Sequence, residues 1–202
     1  MRMTALAIAC LGAGLAVAGE RPSYDCARAS GRVEAAICAD PGLAQLDREL
    51  ARVYRLARQA DGAALVAAQR RWLSERDGCA SAAGLHLCLR DSYADRIADL
   101  RQGLAGEAAG MSLGPFTYRC AGLAAPVIAV FVNTDAPLVH LHWDVPGEAA
   151  GLVLPAAIRA SGARYAGPAR GGAAEFWVKG ETALLTLPGQ DEMQDCAVVD
   201  GK

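Results

Sequence analysis

Gly103-Leu104-Ala105-Gly106-Glu107-Ala108-Ala109-Gly110-Met111-Ser112-Leu113-Gly114 divides the chain into two halves of different character. Glycine and alanine at this density favour neither a packed helix nor a strand, as a linker requires. Residues 19–106 carry 13 Arg and 12 acidic side chains, a formal net of +1, whereas residues 107–202 carry 4 Arg, 2 Lys and 10 acidic residues, a net of −4. We therefore read two domains, 19–104 and 116–202, joined by a linker at 105–115.

Upstream, the apolar period is helical. Asp40-Pro41 is a helix start, with Asp as N-cap and Pro at the first helical position. Leu43, Leu46, Leu50, Val53 and Ala57 then recur at spacings of three and four, forming one apolar stripe. Asp61-Gly62 ends that helix. Leu65, Ala68, Trp72 and Leu73 predict a second, ending near Gly78, and Leu89, Tyr93, Ile97, Leu100 and Leu104 predict a third after Cys88. A short helix at Arg32–Cys38 precedes them. Tyr54 and Trp72 belong to the core, and Glu34, Asp47 and Asp77 read as caps or partners of arginine.

Downstream, the period falls to two. Val127–Val132 is a β-branched run bounded by Pro126 and Asn133-Thr134-Asp135, and Leu138-Val139-His140-Leu141-His142-Trp143 alternates. Further strands are expected at Gly151–Leu154, Glu175–Lys179 and Thr182–Leu187. Short strands broken by Gly, Pro and Asp turns indicate an antiparallel barrel or sandwich. The fold class is α+β: a small disulfide-stapled helical domain followed by an antiparallel β-domain.

The N-terminus reads as an export signal at residues 1–18. A short positive start precedes the apolar run Thr4–Val17, and Ala16-Val17-Ala18 supplies the small-x-small cleavage pattern. Cys10 stands too early in that run for a lipoprotein site, so a soluble product is expected, with membrane attachment only if it were lipidated. Six cysteines follow the signal: Cys26, Cys38, Cys79, Cys88, Cys120 and Cys196. An even number in an exported chain points to disulfides in an oxidising compartment. The four in the helical half allow three pairings; short local loops favour Cys26–Cys38 and Cys79–Cys88 without fixing them. Cys120 and Cys196 are placed to tie the ends of the β-domain, a loop worth about 4 kcal/mol in the chain-entropy account.

Several function classes lose support. Neither half has the basic surface that nucleic-acid binding needs. Metal binding lacks C-x-x-C pairs, and His140 and His142, alternate on one strand with no third ligand nearby, read as solvent-facing. Ser161 has no G-x-S-x-G context for a nucleophile, and no paired-carboxylate motif suggests a glycan-cleaving enzyme.

Two sets of residues resemble known families. Asp25-Cys26, Glu34, Ile37-Cys38, Leu46-Asp47, Tyr54, Gln69, Trp72, Arg76-Asp77, Cys79 and Cys88-Leu89 resemble the LprI-like domain, a small helical module of bacterial envelope proteins. Tyr118-Arg119-Cys120, Ser161-Gly162-Ala163-Arg164-Tyr165, Phe176-Trp177-Val178-Lys179-Gly180, Ala183 and Cys196 resemble the MliC family, inhibitors of c-type lysozyme. That second resemblance implies an eight-stranded antiparallel β-barrel closed by a Cys120–Cys196 disulfide. It also implies a non-enzymatic protein without cofactor or metal, periplasmic, whose partner is a c-type lysozyme.

The inhibitory residues it implies are Ser161 and Lys179, with Gly162 and Gly180 allowing the turns beside them and Arg164 and Tyr165 bracing the loop or touching the partner, core or support being the favoured place for Tyr165. A c-type lysozyme works with one protonated and one ionised carboxyl across a cleft. An ammonium answers the ionised one, and a hydroxyl both gives to and accepts from the other. Arg outnumbers Lys 18 to 2 in this chain, yet position 179 is Lys. That choice suits a site too narrow for a guanidinium fork. The stretch Ala166–Glu175 is longer than the family's usual link. Were it to cover Ser161 and Lys179, a non-inhibitory envelope module binding a cell-wall fragment or periplasmic protein would be the better reading.

Overall fold

In a computed structural model the described residues form four α-helices followed by a closed barrel of eight strands. The structure describes residues 21–60, 62–104, 110–145, 148–158, 161–169 and 172–200. The expected signal at 1–18, with Cys10, lies outside the described residues, as does 105–109 of the expected linker.

The helices are α1 (Gly31–Ala39), α2 (Pro41–Ala60), α3 (Gly62–Asp77) and α4 (Leu85–Gln102). Asp40 caps α2 as its position predicts, its Oδ1 accepting from the Leu43 amide at 2.9 Å. Glu34 reaches back from the first turn of α1 to the Ser30 amide at 2.6 Å. α4 begins at Leu85, three residues before Cys88 and earlier than the apolar period suggests. The fully buried Ile37, Val53, Leu89, Tyr93 and Ile97 make the centre of the helical core, with Trp72 edge-on to Tyr93 at 5.3 Å. Disulfides Cys26–Cys38 and Cys79–Cys88 staple it, so the two local loops are the ones closed. No helix among the described residues is long and apolar enough to cross a membrane.

The strands are β1 (Ser112–Cys120), β2 (Val127–Val132), β3 (Leu138–Val145), β4 (Glu148–Ala157), β5 (Ala163–Ala169), β6 (Gly172–Lys179), β7 (Thr182–Thr186) and β8 (Gln194–Asp200). Each pairs antiparallel with the next, and β8 pairs with β1 to close the barrel. Cys120 and Cys196 stand opposite each other in that closing ladder and are disulfide-bonded. The barrel interior holds the in-pointing alternate residues, among them Val139, Leu141, Leu154, Phe176 and Leu185, all fully buried.

β1 starts at Ser112, inside the stretch expected to link the domains, and the reason is visible in its partners. The Ser112 amide and hydroxyl and the Met111 amide all donate to the carboxylate of Glu49 on α2, which is 1% exposed. Arg52 donates to the same carboxylate at 2.6 and 2.8 Å. Burial alone would raise the Glu49 carboxyl, but these donors and the Arg52 charge hold it below its ordinary value. Arg101 of α4 donates to the Gly114 carbonyl at 2.9 Å, and Gln45 exchanges hydrogen bonds with the side chain and amide of Asp135. Val130, Val132 and Leu138, on the outer face of β2 and β3, are buried within the helical core itself. The two domains thus share one apolar interface on the β1–β4 side.

That interface corrects the reading of His140. It is 8% exposed, and its Nε2 lies 3.0 Å from Asp95 of α4, so it faces the helical domain rather than solvent. Alternation along one strand places a side chain on the outer face; only the docked helix decides that this face is covered. Among the described residues no group of three or more His, Cys, Asp or Glu is placed to hold a metal ion.

Candidate functional site

The first motif, Ser161–Tyr165, enters β5, and the second, Phe176–Gly180, leaves β6. Because the two strands are antiparallel neighbours, Ala163 pairs with Val178 and Arg164 with Trp177, which brings both motifs to one end of the barrel. Gly162 makes the approach possible. Its φ is +71°, and a Cβ there would sit 2.5 Å from the Val178 carbonyl and 3.6 Å from the Lys179 Cγ. Only glycine accepts both the left-handed backbone and that contact. Gly180 turns the chain after Lys179 with φ +65°, in open space.

Ser161, Gly162, Lys179 and Gly180 are exposed. The Lys179 ammonium lies over the Trp177 ring, 3.5 Å from its centroid. Among the described residues Lys179 has no carboxylate within ion-pair distance, so the aromatic face positions the cation without neutralising it. Arg164 is held differently. Its guanidinium forks onto Glu175 of β6, Nε to Oε1 at 2.6 Å and Nη2 to Oε2 at 2.5 Å, which raises its pKa and ties β5 to β6 beside the loop. Tyr165 points inward, 6% exposed, against Phe131. Ser161, Gly162, Lys179 and Gly180 therefore share one surface, with Arg164 beside it as a brace, whereas Tyr165 belongs to the interior. Trp177 is an outward platform for Lys179. A lysine two residues after a tryptophan on one strand face was the signal for that role.

The described part of the long Ala166–Glu175 segment does not fold over this surface. It is a regular extension of the β5–β6 hairpin, pairing Ala166 with Glu175, Gly167 with Ala174, Pro168 with Ala173 and Ala169 with Gly172. The Ala169–Gly172 pair lies at the opposite end of the strands from Ser161 and Lys179.

Residues 118–194 match the family described as membrane-bound lysozyme-inhibitor of c-type lysozyme, MliC, and residues 25–100 match the family described as lysozyme inhibitor LprI. The chain is 31% identical over 145 residues to lipoprotein LprI of Mycobacterium bovis and of Mycobacterium tuberculosis, covering 71% of this chain and 70% of each relative. No solved structure gives a significant match. A four-helix module stapled by two disulfides, docked on a barrel closed by a third, is thus an LprI domain beside an MliC domain, and the chain belongs to the LprI family of lysozyme inhibitors.

Proposed function

We propose that this protein inhibits a c-type lysozyme by binding alone, presenting Ser161 and Lys179 to the two carboxyls of the enzyme's cleft, and so protects peptidoglycan from the periplasmic side of the envelope. The observation that carries the reading is the convergence of the two motifs: Gly162 packed on Val178 and Lys179 puts on one exposed rim a hydroxyl and an ammonium that no carboxylate among the described residues pairs.

The chemistry follows from that rim. Lys179 seeks the ionised carboxylate, and desolvation on insertion strengthens their attraction. Ser161 exchanges a hydrogen bond with the second carboxyl, which is the protonated acid in such an enzyme. The net of −4 on residues 107–202 speeds encounter with a basic enzyme. The helices pack on β1–β4 and the motifs emerge from β5 and β6, so the helical domain leaves the rim accessible. A hairpin covering that rim would have favoured a non-inhibitory envelope module, and the register of β5 and β6 lends that alternative no such support.

The test is inhibition of purified c-type lysozyme by the full chain beside the Ser161→Ala/Lys179→Ala double variant. Inhibition that falls at least a hundredfold in the double variant supports the reading. Inhibition that survives it moves the active surface elsewhere, and none in the wild type leaves an envelope module with another partner.

A further inference from the structure

Ala163, Gly180 and Glu181, which follow Ser161 and Lys179 closely in the chain, line an opening into the barrel. The cavity behind it has a volume of about 430 Å³, within the range of pockets that hold small ligands. Its walls are apolar and largely aromatic: Phe116 and Phe131, tilted at 5.7 Å, with Val178 and Val198. Two tyrosines also line it, Tyr118 at 3% and Tyr165 at 6% exposure. Neither phenol has a hydrogen-bond partner among the described residues. Neither hydroxyl oxygen is sealed off as a buried unpaired atom, so both stay reachable from the cavity and open to a polar group that enters it. Burial raises both phenols, with Tyr165 adding to the rise at Tyr118, so each keeps its proton and remains able to donate. At the rim stand Asn133 and the exposed Glu181, whose carboxylate disfavours an entering anion.

We infer that the barrel mouth binds a small uncharged molecule with an aromatic or alkyl body and one hydroxyl or carbonyl, the body between Phe116 and Phe131 and the polar group on Tyr118 and Tyr165. Eight-stranded barrels are wide enough to hold one such ligand. The site does not depend on lysozyme binding, since its determinants point inward whereas Ser161 and Lys179 point out.

The experiment uses N-phenyl-1-naphthylamine, a neutral fluorophore that brightens in apolar sites, titrated into the full chain and then displaced by 4-hexylphenol or by decanoate. The expected result is saturable one-to-one binding, with 4-hexylphenol displacing the probe at a concentration at least tenfold below that of decanoate. Val198→Trp, which fills the cavity, abolishes binding. Tyr118→Phe/Tyr165→Phe, which removes only the hydroxyls, weakens 4-hexylphenol roughly three- to tenfold. Thermal unfolding verifies that each variant folds; should Val198→Trp not fold, the tyrosine pair decides. The inference is overturned by absence of saturable binding, by binding that Val198→Trp or the tyrosine pair leaves unchanged, or by decanoate displacing as well as the phenol.

Discussion

Lys179 rests on the face of Trp177 rather than against a carboxylate, and this choice of partner has consequences. A carboxylate would hold the ammonium in place but would compete with the target for it, whereas a ring orients the charge and gives it up readily. A compact, rotatable ammonium also enters a narrow cleft where a planar guanidinium meets the walls. Lys179→Ala is expected to weaken lysozyme inhibition by about 2 kcal/mol or more, as loss of a central anchor does, or roughly thirtyfold in the inhibition constant. Lys179→Arg, which keeps the charge, should still lose about tenfold. Retention of full inhibition by the arginine variant would show that charge alone matters. The two glycines beside the site separate in the same assay. Gly180→Ala meets open space and costs only the left-handed backbone, about 1 kcal/mol of stability, with inhibition kept. Gly162→Ala adds a Cβ 2.5 Å from the Val178 carbonyl, so β5 must part from β6 at the motif itself. Stability should fall further there, and inhibition with it. Urea unfolding and inhibition curves on the same preparations read both effects.

At the level of elements, the β5–β6 hairpin shows why its near end is sensitive and its far end is not. The ladder runs unbroken from Ala163–Val178 to Ala169–Gly172, so the extra residues add pairs beyond Ala166 and Glu175 without shifting the register at the motif. Pro168→Glu, at the far end, is expected to change inhibition less than twofold; a large loss would mean that the far end also touches the enzyme. Much of this was legible beforehand. The helices followed from a three-four apolar spacing and the Asp40-Pro41 cap, and β2, β3 and β6 from alternation and bounding turns, because these are local signals. β5 and β8 were weaker: Ala163–Ala169 contains Gly and Pro, and Gln194–Asp200 has only Val198 and Val199 as a β-branched pair. Their pairing partners, distant in sequence, supply the order that local propensity does not. The motif residues were legible as a set, and Tyr165 as core or support, whereas Trp177 as platform depends on which face of its strand meets the core. The buried His140 and the Glu49–Ser112 contact lay beyond reach, since both arise where one domain meets the other.

For the whole molecule, the domain interface makes helices and barrel a single folding unit. Val130, Val132 and Leu138 are at most 1% exposed only because the helices cover them, so a barrel excised at residue 110 would present that β-branched face to water. Excision should therefore yield a barrel that unfolds earlier and self-associates, readable by thermal unfolding and light scattering. Glu49 is the polar centre of the same interface and gives it a pH dependence. Its carboxyl sits below the ordinary value of 4.5 in the folded protein, so in the unfolded chain it binds a proton more readily. The stabilisation is therefore complete above pH of about 4.5 and is lost as pH falls through the lowered folded value. Glu49→Gln keeps the size but not the charge. It should cost about 1.5–3 kcal/mol at neutral pH, the worth of hydrogen bonds to a charged acceptor, and flatten the acid limb of the stability curve. A Glu49→Gln variant that loses stability equally at pH 7 and pH 3 would show that the carboxylate's charge is not what joins the domains.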